Sequence, residues 1–355
     1  MKVYFYHTQD TRRILREWME GIYPGHLLYG ATHLPRLGID VIPHLYPPDY
    51  GNRFRLMWLT AWRILTCGRH YDALYATSFR GLELIILLRA LHLYRRPVVV
   101  WHHQPIVAAK GRLREWFARF FYRGIDQMCF FSQPIVDESL RSRKARPERM
   151  HVVDWGADLE FYDRIRTQVR PAPVPFFVST GKEQRDIPTL VEAFRQVPEA
   201  QLEMYLNERN GTNDYQRILG DIVLPENVHL HILNRLMIGE LASVVAQAQC
   251  VVISCLRTNY TVGLTTLVEA IALGLPVVTT RNATFPFDID REGVGIGVDY
   301  ADTAAWQAAV HRIATCPDEA RAMGERGREL AESRFNLENT AAQVAAVIRQ
   351  AVERR

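Results

Sequence analysis

The sequence predicts an α/β protein of two doubly wound parallel sheets, and three observations carry that reading. Short β-branched or aromatic runs alternate with amphipathic stretches from residue 3 to residue 153, a proline-rich break stands at 169–175, and the alternation restarts at 176. Such alternation is what parallel strands covered by crossover helices on both faces require. A chain of 355 residues is also longer than a typical single domain.

In order, 3–6 reads as the first strand, 27–37 as a helix ended by Gly38, and 41–43 as the next strand. A helix at 55–66, a strand at 73–76, a helix at 82–93 and a β-branched strand at 97–101 follow. The amphipathic stretch 113–123 precedes a strand at 127–131, a helix near 135–141 and a strand at 150–153. Val169-Arg170-Pro171-Ala172-Pro173-Val174-Pro175 cannot continue a helix or a central strand, and it reads as an interdomain linker. Beyond it come strands at 176–179, 201–206, 228–232 and 251–254, with helices at 187–196, 214–219 and 238–248. The segment 261–280, TVGLTTLVEAIALGLPVVTT, then supplies a glycine turn, a short helix carrying one acid, a Gly-Leu-Pro break and a buried strand. The expected domains are 1–168 and 172–335, with a last helix within 336–355. Two such sheets facing each other leave a cleft at the carboxyl ends of their strands, where doubly wound proteins bind ligands.

Composition excludes several classes. Hydrophobic content of 48% and charged content of 23% are those of a soluble globular protein, and no apolar run reaches the length of a membrane span. The first residues enter a strand pattern at once, so no secretory signal is expected. Five scattered cysteines without CxxC spacing point to a reducing, cytoplasmic setting rather than to disulfides or zinc. Residues 1–168 hold 25 Lys/Arg against 16 Asp/Glu, and the remainder 18 against 23. A basic first half suits an anionic partner (a membrane surface, a phosphorylated acceptor or nucleic acid) or is a solvated surface with arginine bias, and peripheral contact with the inner face of a membrane is one expectation it raises.

The chemistry concentrates in a few places. Gly263 and the backbone N–H groups of Leu264, Thr265 and Thr266 open a helix, where orphan donors and the positive dipole end favour a phosphate. Glu269 lies further into that helix, placed to accept hydrogen bonds from vicinal sugar hydroxyls; a capping box, Thr266-x-x-Glu269, competes for it. Lys182 and Arg185 follow a strand and precede a helix, a position suited to steadying charge on a departing diphosphate. His102 and His103 close a strand, where a neutral imidazole can bond a sugar or relay a proton.

Several segments in order resemble one family. Glu269-Ala270-Ile271-Ala272-Leu273-Gly274-Leu275-Pro276-Val277-Val278 is similar to the donor-site block of glycosyltransferase family 4. Gly156-Ala157-Asp158-Leu159-Glu160-Phe161, the loop from Gly181 to Leu190 with Ala193-Phe194 behind it, and Met323-Gly324-Glu325-Arg326-Gly327-Arg328 with Phe335 resemble further family motifs. The resemblance implies a GT-B fold, two Rossmann-like doubly wound domains facing across a cleft, and a retaining hexosyltransferase. It implies a nucleoside diphosphate sugar as co-substrate, no metal, and a glycan, glycolipid or small-molecule acceptor. Nucleic acid is not an expected partner. By resemblance Gly181, Lys182 and Arg185 meet the diphosphate, Glu269 the ribose hydroxyls, and His102 or His103 the reacting sugar. The C-terminal helix is expected to cross back to the N-domain, which would bind the acceptor.

Two departures stand out. The family's Glu-x7-Glu pair keeps its second acid as Glu269, but Thr261 occupies the first position, leaving Asn259, Thr261 or backbone amides for sugar recognition. The Gly-Gly turn after the first strand is replaced by a segment ending Tyr23-Pro24-Gly25-His26-Leu27-Leu28-Tyr29-Gly30, which puts Gly25 and His26 on the acceptor side. Asp288-Ile289-Asp290 spells a metal-binding DxD but runs into Arg291-Glu292-Gly293, and is read as having no metal role. The aromatic face of 112–123 is read as core-directed, with a membrane surface as its alternative. Rival readings are a sugar-nucleotide epimerase of the same architecture and a nucleotide-binding partner subunit without turnover. A nicotinamide dehydrogenase is disfavoured, because no G-x-G-x-x-G follows the first strand.

Overall fold

The structure, a computed structural model, describes residues 1–46, 50–181, 184–207, 220, 222–233 and 238–354. They divide into two compact units: Met1–Gly156 with Asn336–Arg355, and Ala157–Phe335. The first unit contains β1 (Lys2–Tyr6), α1 (Thr11–Met19), β2 (Asp40–Pro43), α2 (Arg53–Leu65), β3 (Ala73–Ala76), α3 (Glu83–Ala90), β4 (Val98–His102), α4 (Arg112–Tyr122), β5 (Gln127–Phe130), α5 (Gln133–Arg141) and β6 (Met150–Val152). The second contains α6 (Leu159–Gln168), β7 (Phe176–Gly181), α7 (Ile187–Arg195), β8 (Gln201–Asn207), β9 (Val228–Leu233), α8 (Ile238–Val245), β10 (Cys250–Ile253), α9 (Leu264–Leu273), β11 (Val277–Thr280), α10 (Ile289–Glu292), β12 (Gly295–Val298), α11 (Thr303–Thr315) and α12 (Pro317–Ser333). The last helix, α13 (Leu337–Glu353), belongs to the first unit.

Each unit is built on a six-stranded parallel sheet, ordered β2-β1-β3-β4-β5-β6 and β12-β11-β10-β7-β8-β9. Side chains alternate across each strand. In the first unit Tyr4, Tyr6, Val98, Val100, Met128 and Phe130 pack with Ala61 and Ile64 of α2, Ile85 and Ile86 of α3, and Ile135 and Val136 of α5. Their neighbours Phe5, Tyr75, Val99 and Trp101 point the other way and are buried. On that side α13 lies across β3, β4 and β5, burying Leu337, Ala341, Val344, Ala345 and Ile348. In the second unit Phe177, Leu202, Met204, Val252 and Val278 form the core with Leu190, Phe194, Trp306 and Val310. Helices α9 and α12 pack at close range because Gly324 and Gly327 carry no side chain. A Cβ on Gly324 would stand 2.1 Å from the Gly274 carbonyl oxygen, and one on Gly327 would stand 3.2 Å from Ile271 Cγ2.

The structure departs from expectation in four places. The helix expected at 27–37 is two short 3-10 turns, Gly25–Leu28 and Leu34–Leu37. Between them Tyr29 and Gly30 take positive φ angles of 53° and 83°, which no right-handed helix tolerates. Helix α1 has no counterpart in the expected elements; Asp10, which accepts from the Arg13 N–H, was its readable start signal. The domain boundary falls at Gly156–Ala157 rather than after 168, because α6 buries Phe161, Tyr162 and Ile165 and packs against α9. The proline-rich 169–175 is therefore a connection within the second unit. Finally, the aromatic face of α4 is only partly core-directed: Phe121 and Tyr122 pack against the core, while Leu113, Trp116 and Phe117 are exposed and no residue of α4 is fully buried. The helix expected at 214–219 lies outside the described residues.

Candidate functional site

In the second unit the carboxyl ends of β7 and β10 and the start of α9 converge on one guanidinium. Arg185 is 5% exposed and pairs with Cys255 in an isolated antiparallel bridge. Its Nε donates to the Thr180 carbonyl (3.1 Å), Nη1 to Cys255 Sγ (3.4 Å) and Nη2 to Thr266 Oγ1 (3.3 Å). Gly181 makes room for it: φ there is +151°, and a Cβ would stand 2.3 Å from Arg185 Nη2. Burial pushes the Cys255 thiol up, against the lowering influence of Arg185, so it stays protonated beside the cation. Lys182 lies outside the described residues.

Helix α9 begins at Gly263, whose left-handed φ of +90° permits the turn and whose Cβ would stand 2.6 Å from Ile253 Cγ2. Leu264 N–H donates to the Thr261 carbonyl and Leu267 N–H to Gly263. The N–H groups of Thr265 and Thr266 belong to the first turn, with Thr265 exposed and Leu264 buried. Because Gly263 is the N-cap, Thr266 lies inside the helix and bonds Arg185; the competing capping box is absent. Glu269 is half-buried, further along the same helix. The loop before α9 is tied down by Asn282, whose Nδ2 donates to the carbonyls of Tyr260 (3.0 Å) and Val262 (3.4 Å). Thr280 Oγ1 accepts from Cys255 N–H at 3.0 Å. Thr261 is half-buried in this loop and Asn259 is exposed.

In the first unit the two candidate histidines part company. His102 is the last residue of β4, 3% exposed, stacked on Phe130 at 5.3 Å and near Phe79 and Tyr122. Its Nε2 is buried without a hydrogen-bond partner among the described residues. Burial, reinforced by His103, holds its pKa down to about 3. His103 emerges on the opposite side and is exposed. It stacks on Tyr29 with ring planes 7° apart and packs near Phe131, and its Nε2 lies 3.3 Å from Tyr29 Oη. Although the residue reaches solvent, crowding of its ring by Tyr29 and Phe131 desolvates the imidazole and lowers its pKa to about 4, opposed by a backbone hydrogen bond with Thr77. Burial also raises the Tyr29 pKa, so a neutral imidazole donating to Thr77 and accepting from the phenol satisfies all three groups.

Two members of this cluster were missed from the sequence. Tyr29 holds its left-handed backbone with its carbonyl accepting from Tyr75 Oη at 2.5 Å, and Trp101 Nε1 donates to that same Oη at 2.7 Å. His7 follows β1 directly, the position at a strand's carboxyl end that could have flagged it. Its Nδ1 accepts from Gln9 N–H at 3.1 Å, and burial followed by His103 lowers its pKa to about 4. Gly25 and His26, expected on the acceptor side, are buried: His26 is 0% exposed, packs on Trp155 at 5.2 Å, and offers its carbonyl to Trp155 Nε1.

The buried histidines set a pH dependence. His44 is also lowered, to about 3, by burial and then by Arg63. These folded-state values lie below an unfolded imidazole near 6.5, so the unfolded chain binds more protons between the two. Stability is therefore full above about pH 6.5 and is lost as pH falls toward 4. The expected result is a Tm drop of about 10 °C between pH 7 and pH 4.5, and His102→Phe should flatten part of that slope. Equal Tm across this window would contradict the buried neutral state.

Among the described residues no group of three or more His, Cys, Asp or Glu is placed to hold a metal ion. The DxD residues have other work: Asp288 accepts from the N–H groups of Asp290 and Arg291 and so caps α10. Asp290 pairs with Arg281 at 3.1 Å and accepts from Gly297 N–H. No helix of the described residues is long and apolar enough to cross a membrane.

Residues 163–330 match the family described as "Glycosyl transferases group 1". The MMP alpha-(1->4)-mannosyltransferase of Mycolicibacterium hassiacum is 26% identical over 280 residues, spanning 73% of this chain and 66% of that protein, just under two thirds. Sucrose-phosphate synthase from Thermosynechococcus elongatus superposes with a TM-score of 0.75 at 18% identity, covering 100% of this chain and 99% of that one. The Anabaena protein Alr3699/HepE, solved with UDP and glucose, has a TM-score of 0.66 at 16% identity, covering 98% and 99%.

Proposed function

We propose that this chain, a member of the group 1 glycosyl transferases with the GT-B fold, transfers a sugar from a nucleoside diphosphate sugar to an acceptor hydroxyl with retention of configuration. The observation that carries the reading is that the family match, residues 163–330, contains the whole Arg185–Gly181–α9 cluster. A buried guanidinium beside the open start of a helix is the chemistry a diphosphate needs.

In this reading the second unit holds the nucleotide. The first turn of α9 and Arg185 meet the phosphates, with Lys182 beside them by resemblance, and Glu269 accepts from ribose hydroxyls. Asn259, Thr261 and backbone amides take the sugar-recognition work of the absent first acid. The bond between the sugar's anomeric carbon and the phosphate oxygen breaks, and the acceptor oxygen bonds that carbon from the same face. The acceptor's proton passes to the departing phosphate oxygen, so no protein nucleophile is needed. Fixed positive charge matters most at that moment, because negative charge grows on the leaving diphosphate. His103 and Tyr29 of the first unit offer a neutral imidazole and a phenol to the reacting sugar or acceptor. The mannosyltransferase relative supports a hexose as the transferred sugar.

The test is a thermal-shift panel of UDP-, GDP-, ADP- and TDP-sugars with the purified chain, followed by product analysis with the stabilising donor. A ligand that binds the native state raises Tm, by about 2.7 kcal/mol of stability at a hundredfold excess over Kd. Stabilisation by one nucleotide series together with glycosidic product is expected. Stabilisation without turnover across acceptors would instead favour a partner subunit, and no stabilisation at all would remove the donor site.

A further inference from the structure

We propose that the outer face of the α2–α3–α4 layer is a docking surface for a bilayer carrying anionic lipids. It goes beyond the transfer reaction and does not depend on it.

The first observation is a stripe on α2. Phe54, Trp58, Trp62 and Leu65 recur at helical spacing and are 68%, 53%, 69% and 55% exposed, while Leu56, Thr60 and Ile64 on the opposite side are buried. Phe54 and Trp58 meet edge to face at 6.2 Å. A second stripe lies on α4, where Leu113, Trp116 and Phe117 are exposed and Trp116 stacks on Phe120. Helix α3 packs against both α2 and α4, so the three form one layer over one face of the sheet. Their outer surfaces therefore look the same way, with exposed Leu91 and Leu93 just beyond α3. Three exposed tryptophans on one side of a soluble fold are far from ordinary surface scatter.

Charge selects the occupant. Residues 53–123 contain 13 Lys/Arg against three Asp/Glu, which accounts for the whole basic excess of the first half of the chain. Arg55, Lys110, Arg112, Arg114 and Arg123 are exposed and flank the two stripes. Two of the three acids are already engaged there, Glu83 by Arg53 and Glu115 by Arg119 and Lys144. Tryptophan and arginine together on helices that lie flat are what an interfacial helix needs: rings at headgroup depth, guanidinium groups on lipid phosphates. A second copy of the chain would bring the same positive charge against itself, which disfavours self-association through this face. Nucleic acid would use the arginines but leave two long apolar stripes wet on duplex phosphate.

The test is flotation of the full chain with phosphatidylcholine vesicles, with and without phosphatidylglycerol, alongside tryptophan emission. Recovery with the anionic vesicles, weak recovery with the neutral ones and a blue-shifted emission are expected. Trp58→Ala/Trp62→Ala and, separately, Arg112→Gln/Arg114→Gln should each weaken anionic-vesicle binding about tenfold or more while leaving the melting curve in place, since all four side chains are outside the core. Salt should weaken the wild type further. Equal recovery with both vesicle types, no recovery with either, or both variants binding like wild type would overturn the proposal. So would a concentration-dependent dimer in vesicle-free buffer that Trp58→Ala/Trp62→Ala dissolves, because that would make the face a contact between copies.

Discussion

Arg185→Ala is expected to lower kcat by about 10²- to 10³-fold at saturating donor, the loss seen when a group fixed toward developing charge is removed. The effect should appear in kcat rather than in KM alone, because in the proposed reaction the guanidinium acts where the diphosphate gains charge on leaving. Arg185 is held by the Thr180 carbonyl, Cys255 Sγ and Thr266 Oγ1, so its position is set before any ligand arrives. Removing it also strips a buried anchor, so Tm should fall as well. Gly181→Ala separates the two effects. It keeps the cation but drives a methyl into the space of its Nη2, and it strains a backbone that only glycine adopts freely. Both variants should lose turnover, and initial-rate kinetics with melting curves would check them together. Wild-type kcat in Gly181→Ala would mean that the placement of Arg185 is irrelevant to the chemistry.

His103→Ala is expected to cost about 10²-fold in kcat with Tm nearly unchanged, the scale of a lost hydrogen-bonding or proton-relaying group. His102→Ala should do the opposite. It empties a packed site between Phe130, Phe79 and Tyr122 and should cost about 2–4 kcal/mol of stability before any specific effect on rate. The neighbours differ because strand side chains alternate, and β4 runs through His102. Desolvation lowers the His103 pKa to about 4, so the acid limb of kcat/KM is expected below pH 6.5. An unchanged rate in His103→Ala would overturn the proposed sugar-facing role of His103.

Much of this was legible in the sequence, for physical reasons that can be named. Parallel strands buried on both faces read as unbroken apolar runs, so Val98-Val99-Val100 and Val251-Val252-Ile253 announced themselves. Gly263 marked a helix start because its left-handed turn excludes a Cβ. Other features depended on partners remote in sequence. Gly30 breaks the expected helix where its missing side chain meets Ala341, more than three hundred residues away, and no local pattern encodes that meeting. His26, expected on the acceptor side from its segment alone, is buried against Trp155, more than a hundred residues away in sequence. The aromatic face of α4 carried the right period for a core helix, and the period alone does not say whether anything covers it.

The return of the last helix bears on how the chain is made. Residues 157–335 are contiguous, and their two ends meet where Ala157 N–H donates to the Phe335 carbonyl at 3.0 Å. That unit has everything it needs once residue 335 has left the ribosome. The first unit does not, although its sheet was synthesised first. The side of its sheet that carries Phe5, Tyr75, Val99 and Trp101 waits for α13, which is synthesised only after the whole second unit. Translation order and completion order are thus reversed. The part of the first sheet that lies under α13 stays uncovered through synthesis of the second unit, an interval in which nascent chains are exposed to chaperone capture or aggregation.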